Sequence, residues 1–361
     1  MSVKITISLF LDYQTCSIKG RRINDSLNAI KDAIYDANLK DKELYIISID
    51  QRKAFDTMSH NYLFALLDHL NINSFLTNSI KRIYNQSYAS LVVDSYISQL
   101  QIFIESGIKQ GCSVSMFLYS LGIEELAVRI HNNRYIKGYE IPRMIINEQN
   151  TIPQGIVTEQ KEIKATLYAD DTGGICRELE SIGHLFGEFK RWGKISGASM
   201  NDDKTKILAI NSKTDNFRGI QFDKELKMLG IIFSKNGVDP KNLKNVKEKI
   251  EKTLNMWNGI KFNLIDKITV IRTFGLSKLW YLLNFITLDK KEIKEFETII
   301  FNYIWGNKAE LISRGTLYAE YKKGGLNMVC LKAKINMINI RNMIYIKENM
   351  HRPQYQYSVY W

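Results

Sequence analysis

The run LYIISID, residues 44–50, is apolar at nearly every position and ends on an acid. A strand with one wet face alternates polar and apolar residues, whereas an unbroken apolar run of this kind reads as a strand buried centrally in a sheet. A carboxylate at the end of such a strand is costly unless it is paired or holds a cation. Asp50 is therefore the first candidate for chemistry.

A second candidate lies about 120 residues later, in KATLYADDTGG at 164–174. Lys164 to Tyr168 read as a strand, as does Ile175 after the glycines, yet Asp170 and Asp171 sit between them and Asp is depleted in strands. The ordinary account of an acid pair in a turn is a solvated turn with an Asx cap. Asp50 weighs against it, because two strands side by side in one sheet bring all three acids together. Three carboxylates repel one another without a cation, and oxygen-only donors suit Mg²⁺ or Mn²⁺. Two such ions about 3.5–4 Å apart can clamp the attacking and leaving oxygens of a phosphoryl displacement.

Around these acids the front of the chain alternates helix and strand signals. Ile23, Leu27, Ile30 and Ile34 mark an amphipathic helix with Asn24 or Asp25 as its cap, and Leu63, Leu66, Leu67 and Leu70 mark another with Ser59 near its start. Residues 90–107 alternate weakly, as a hairpin does, and lead into GIKQGCSVS; Val114, Phe117, Leu118 and Leu121 then follow helical spacing. Residues 142–162 mix Pro, Gly and polar residues as a surface insertion does. A helix around ESIGHLFGEFKRWGKISG and strands at KTKILAINS and LKMLGIIFS complete this part.

From residue 240 the pattern changes to long basic helices. Lys and Arg number 21 against 10 Asp and Glu there, and 29 against 28 before it, so nearly all of the net charge of +12 lies in the last third. Composition and period shift together at Asp239–Pro240, which marks a domain junction. A lysine-rich solvated surface and a surface that holds a polyanion both account for the charge. The apolar fraction of 45% and only four prolines indicate a globular chain. LWYLLNFITL, the longest apolar stretch, falls short of the roughly 18 residues that span a membrane. The four scattered cysteines form no CxxC pair and suit neither a zinc site nor a disulfide framework. With no small-residue cleavage site after the first apolar run, the expectation is an intracellular protein that is not secreted.

Six blocks in sequence order resemble the reverse transcriptases of non-LTR (LINE-type) retrotransposons. SIDQRKAFDTMSH is similar to their D-x-x-K-A-F-D block, GIKQGCSVS to R-Q-G-x-P-L-S-P, and LYADDT to Y-A-D-D. SGASMNDDKTKIL resembles S-G-L-x-x-N-x-x-K-T, MLGIIFS the Y-L-G-I segment, and YQTCSIKGRRI the upstream Q-x-G-F-x-x-G-R-x-I. LIDKITVIRTFGLSKLWY, IIFNYIWG and KKGGLNM look like the thumb and the elements after it.

The resemblance implies an α+β right-hand palm, an antiparallel sheet with helices on one face, with incomplete fingers and an all-helical thumb. Residues 1–43 would be a residual fingers segment, 44–239 the palm, and 240–361 the basic thumb and C-terminal extension. Asp50, Asp170 and Asp171 would hold two Mg²⁺ (or Mn²⁺) ions and carry catalysis. Ala54 and Phe55 would line the nucleotide, the Phe55 ring rejecting a ribose 2′-OH; a core Phe between strand and helix is its other reading. Gln110 and Gly111 would lie along the nucleotide, Lys204 would face the leaving pyrophosphate, and Leu229 and Gly230 would grip the primer. Partners would be an RNA template, a DNA primer and deoxynucleotides, with no membrane and no evident protein partner, and the site of action would be the nucleus. Trp257, Trp280 and Trp305 can stack on nucleic acid, yet their helical spacing among Leu and Ile fits a core.

Several positions depart from the family pattern. The R-P-I block of the fingers has no counterpart, so an N-terminally truncated element is the expectation. KQGCSVSM lacks both expected prolines, Cys16-Ser17 replace Gly-Phe, Asp266 replaces Gly, and Ser277 replaces the thumb Pro. Two other classes fit parts of the pattern: an inactive relic that only binds RNA or an RNA–DNA hybrid, and an RNA-dependent RNA polymerase, which Phe55 argues against.

Overall fold

The computed structural model describes residues 10–85, 87–112, 114–140, 162–306 and 308–350, with Arg352 and Tyr355. The expected surface insertion falls at 142–161 outside the described residues; only Glu162 of that stretch lies within them. The chain forms two compact units, one up to Leu229 that also includes Arg352 and Tyr355, and one from Gly230 to Met350.

The first unit is built on a four-stranded antiparallel sheet. Strand β1 (Leu44–Ile49) lies between β5 (Asp171–Cys176) and β6 (Lys206–Ile210), and β4 (Ala165–Tyr168) flanks β5. The continuous apolar run of β1 is buried at Leu44, Tyr45, Ile46, Ile47 and Ile49, which explains why it does not alternate. Gly173 and Gly174 in β5 leave room for neighbours on opposite faces. A Cβ on Gly173 would meet the Met228 side chain, and one on Gly174 would meet Leu185.

Helices α1 (Ile23–Leu39), α4 (Ser115–Asn132) and α5 (Leu179–Ser196) pack against this sheet, and two further helices, α2 (His60–His69) and α3 (Ser74–Tyr84), follow β1. Ser59 caps α2 by accepting from the Tyr62 amide. Trp192 on α5 is fully buried, its Nε1 donating to the Gly122 carbonyl of α4 at 3.1 Å. Strands β2 (Tyr88–Val93) and β3 (Tyr96–Phe103) form the expected hairpin. Asp94 and Ser95 turn it with positive φ, as two-residue hairpin loops require.

The start of α1 corrects the sequence reading. Its N-cap is Arg22, not Asn24 or Asp25. Asp25 sits one turn in and accepts from the Arg22 amide at 3.1 Å. The same buried carboxylate accepts from Arg352 at 3.1 Å and from the Tyr355 hydroxyl, so contacts from the far end of the chain fix its place.

The second unit opens with a hairpin, β7 (Ile231–Ser234) and β8 (Gly237–Val238), followed by α6 (Lys241–Asn255), α7 (Leu264–Val270), α8 (Ser277–Leu282), α9 (Lys290–Trp305) and α10 (Leu331–Glu348). Its boundary precedes the compositional shift at Asp239–Pro240 because Asn242 ties the hairpin to α6. The Asn242 side chain accepts from the Ile232 amide at 2.9 Å and donates to its carbonyl at 2.7 Å. Leu254, Ile271, Leu279, Phe296 and Ile300 form the core of this unit, and Trp257, Trp280 and Trp305 are half-buried against it. Among the described residues, no helix is long and apolar enough to cross a membrane.

Glu124 on α4 carries a pH-dependent load on the first unit. Burial pushes its carboxyl up to about 8, against the lowering effects of the Leu11 amide and Arg21. Its Oε1 accepts from the Leu11 amide at 2.7 Å, while Oε2 has no hydrogen-bond partner among the described residues. A carboxyl whose folded pKa lies above its unfolded value of 4.5 favours the folded state at low pH and loses that contribution as pH rises toward 8. Glu124→Gln keeps the acceptor and removes the charge. Melting curves of the two proteins should diverge between about pH 5 and pH 8, with the variant increasingly the more stable; a gap independent of pH contradicts this account.

Candidate active site

The β1–β5 register runs from Tyr45↔Cys176 to Ile49↔Thr172, so Asp50 and Asp171 face each other one step past the last pair. Strands β4 and β5 pair as far as Tyr168↔Asp171, leaving Ala169 and Asp170 as a two-residue turn. Ala169 has a φ of 52°, a left-handed value that costs an L-residue about 1–2 kcal/mol. The fold thus brings all three sequence-predicted acids to one end of the sheet. Asp170 lies in the turn, Asp171 opens β5, and Asp50 follows β1.

The electrostatics agree with that placement. Loss of hydration raises Asp171 above the usual carboxylate range, and the negative charges of Asp170 and Asp50 add to the effect. Asp50 is also held from the side: its Oδ2 accepts from Asn201 Nδ2 at 2.9 Å, and its carbonyl accepts from the Asn201 amide at 2.8 Å. Among the described residues, no group of three or more His, Cys, Asp and Glu side chains stands in metal-holding geometry. The donor set itself, three carboxylates and no nitrogen or sulfur, has the chemistry that Mg²⁺ and Mn²⁺ prefer.

Behind the turn lies a buried polar relay. Gln51 Nε2 donates to the Asp170 carbonyl at 3.2 Å and to Thr172 Oγ1 at 3.3 Å. The Tyr119 hydroxyl donates to Gln51 Oε1 at 2.8 Å. Burial, and after it the charge of Asp170, push the Tyr119 phenol far up, so it stays protonated and a donor. The Tyr119 ring stacks on Phe55 with centroids 4.4 Å apart and planes 25° from parallel. Phe55 is half-buried on the short helical turn Ala54–Thr57, and Ala54 beside it is buried.

The other predicted residues lie in turns. Gln110 and Gly111 are exposed in the turn before α4, Gly111 with a φ of 81°. Lys204 is exposed in the turn between Asn201 and β6. Among the described residues, no hydrogen bond joins Gln110, Gly111 or Lys204 to the three acids. Leu229 and Gly230 both take left-handed φ, 47° and 82°.

Residues 3–233 match the family described as "Reverse transcriptase (RNA-dependent DNA polymerase)". The chain belongs to this family. Its sheet and packed helices are the α+β polymerase fold expected from the sequence blocks. Over 341 residues the chain is 24% identical to the transposon TX1 uncharacterized 149 kDa protein of Xenopus laevis, with 91% of the chain and 24% of that protein covered. Over 337 residues it is 21% identical to a Retrovirus-related Pol polyprotein from the type-1 retrotransposable element R2 of Popillia japonica, with 86% of the chain and 50% of the polyprotein covered. These matches bear out the resemblance to non-LTR retrotransposon reverse transcriptases. The chain spans about a quarter of the first relative's length and half of the second's. Telomerase from Candida tropicalis, solved with a fragment of telomeric RNA, matches 98% of the chain and 51% of its own at 11% identity and a TM-score of 0.49.

Missed by the sequence reading were Asn201, Gln51 and Tyr119. Asn201 stands in the SGASMN block and Gln51 directly follows Asp50, so position was the available signal; residue type gave none.

Proposed function

We propose that this chain is the polymerising part of a non-LTR retrotransposon protein, an RNA-directed DNA polymerase that extends a DNA primer on an RNA template. The observation that carries it is the meeting of Asp50 and Asp171 across β1 and β5, with Asp170 in the adjoining turn. In the reaction the primer 3′-oxygen forms a bond to the α-phosphorus of a deoxynucleotide, its proton is released, and the bond to pyrophosphate breaks. Asp50, Asp170 and Asp171 would hold two Mg²⁺ or Mn²⁺ ions, which when bound neutralise charge developing on the phosphate oxygens. Asn201 fixes the Asp50 carboxylate, and the ring of Phe55 closes the sugar pocket beside buried Ala54. Gln110 and Gly111 run along the nucleotide, Gly allowing close backbone approach. Lys204 supplies a proton toward the leaving group, and Leu229 and Gly230 hold the primer end. The lysine-rich second unit takes the thumb's part, holding template and primer by phosphate contacts with little sequence readout.

Primer extension on an RNA template with deoxynucleotides tests the assignment. Extension should require Mg²⁺ or Mn²⁺ and vanish with a chelator; its absence with either metal refutes the polymerase. The pocket assignment has its own test. Phe55→Ala removes the ring that rejects a 2′-hydroxyl, so ribonucleotide incorporation relative to deoxynucleotide should rise by about 100-fold. An unchanged ratio means that Phe55 is not the sugar-selecting residue.

A further inference from the structure

The geometry points to Tyr119 and Gln51 as positioning residues that lock the sugar-selecting ring of Phe55 to the turn carrying Asp170. This rests on the polymerase reading and goes beyond it. Phe55 sits on only four helical residues, next to Lys53 with a left-handed φ of 46°. Its backbone alone is a weak platform for a ring that must meet a sugar at a fixed angle. The stacked Tyr119 ring, buried on the 18-residue α4, supplies the rigid one.

The tyrosine hydroxyl does more than fill space. An amide can present either end to a neighbour. In Gln51 the Tyr119 hydroxyl claims Oε1, and this leaves the NH₂ end to face the Asp170 carbonyl and Thr172 Oγ1. Turned over, the amide would set its oxygen against the Asp170 carbonyl and its NH₂ against the phenol oxygen, leaving the hydroxyl hydrogen without the acceptor it has in Oε1. The hydroxyl therefore orients the amide, and the amide holds the turn. A ring without the hydroxyl would pack equally well, so close packing alone does not call for the relay.

Placement of the nucleotide sugar and placement of the carboxylates are thereby coupled. Phe55 touches the substrate in this scheme; Tyr119 and Gln51 act through Phe55 and Asp170.

The test compares wild type, Tyr119→Phe, Gln51→Met and the double variant, using Mg²⁺-dependent extension of a DNA primer on RNA template and thermal melting. Tyr119→Phe leaves the Gln51 oxygen unpartnered in a buried place, so Tm falls, and kcat should fall about tenfold with KM little changed. In the double variant neither side of the Tyr119–Gln51 bond is left unpartnered, but the Asp170 carbonyl and Thr172 Oγ1 lose their donor, so Tm should recover in part above that of Tyr119→Phe. If the pair positions the site, kcat should stay about tenfold low despite that recovery. If kcat returns together with Tm, or if Tyr119→Phe holds kcat within about twofold of wild type, the relay is structural only and the inference is overturned. Wild type that fails to extend at all overturns the polymerase reading and this inference with it. Wild-type activity with unaffected variants overturns the inference alone.

Discussion

Asp170→Asn should lower primer extension by about 10³-fold or more without destabilising the chain. Asparagine keeps the size of the side chain and keeps the backbone carbonyl that accepts from Gln51, so the turn should hold its shape. Lost is one of the two neighbouring charges, Asp170 and Asp50, that add to burial in raising Asp171. Relief of that repulsion favours the folded state, so Tm should equal or exceed that of wild type. Activity and stability then move in opposite directions, which a variant harming the fold cannot produce. Single-turnover extension with saturating Mg²⁺, run beside melting curves, checks both halves. Extension within tenfold of wild type would place the chemistry elsewhere; a lower Tm would show that the Asp170 carboxylate serves the fold.

The parts of this site legible in the sequence are those that burial writes into a run of residues. LYIISID reads as a central strand because both of its faces are covered, and Asp50 and Asp171 stand out because acids at strand ends conflict with the apolar pattern around them. Hydrogen bonds across the fold leave no such mark. Gln51 meets Tyr119 across 68 residues and the Asp170 carbonyl across 119, and neither separation follows from a helical or strand period. Asp25 misled for the same reason: its carboxylate answers to Tyr355, 330 residues away, as well as to its own helix. The unit boundary likewise escaped composition, because one neutral side chain, Asn242, ties a hairpin to the basic helix behind it.

Gly197→Ala should be the most damaging single methyl group near the site. Gly197 ends α5 with a φ of 84°, its amide donating to the Gly193 carbonyl at 2.9 Å. A Cβ there would overlap the backbone oxygen of Thr57, and no side-chain rotation can relieve a clash with a carbonyl. The chain on either side of it is bonded along the site's edge: Ser59 N–H to the Ser196 carbonyl at 2.7 Å, Arg52 N–H to that of Ser199 at 2.9 Å, and the Asn201 amide to that of Asp50 at 2.8 Å. Shifting the 197–201 strip to admit a methyl group drags Asn201 away from the Asp50 carboxylate. The left-handed backbone and the overlap together should cost about 3 kcal/mol, a fall in Tm of about 6–12 °C for a unit of this size. At temperatures where the variant is still folded, displacement of Asp50 should lower extension by about 100-fold. Gly187 on the same helix is the control, since nothing lies within 4 Å of a Cβ built on it. Alanine is the better helix former, so Gly187→Ala should be neutral or stabilising by about 0.5–1 kcal/mol. If Gly197→Ala melts and extends like Gly187→Ala, the 197–201 strip does not hold Asp50 in place. If it melts lower but extends normally, the strip supports the fold and Asn201 plays no part in the site.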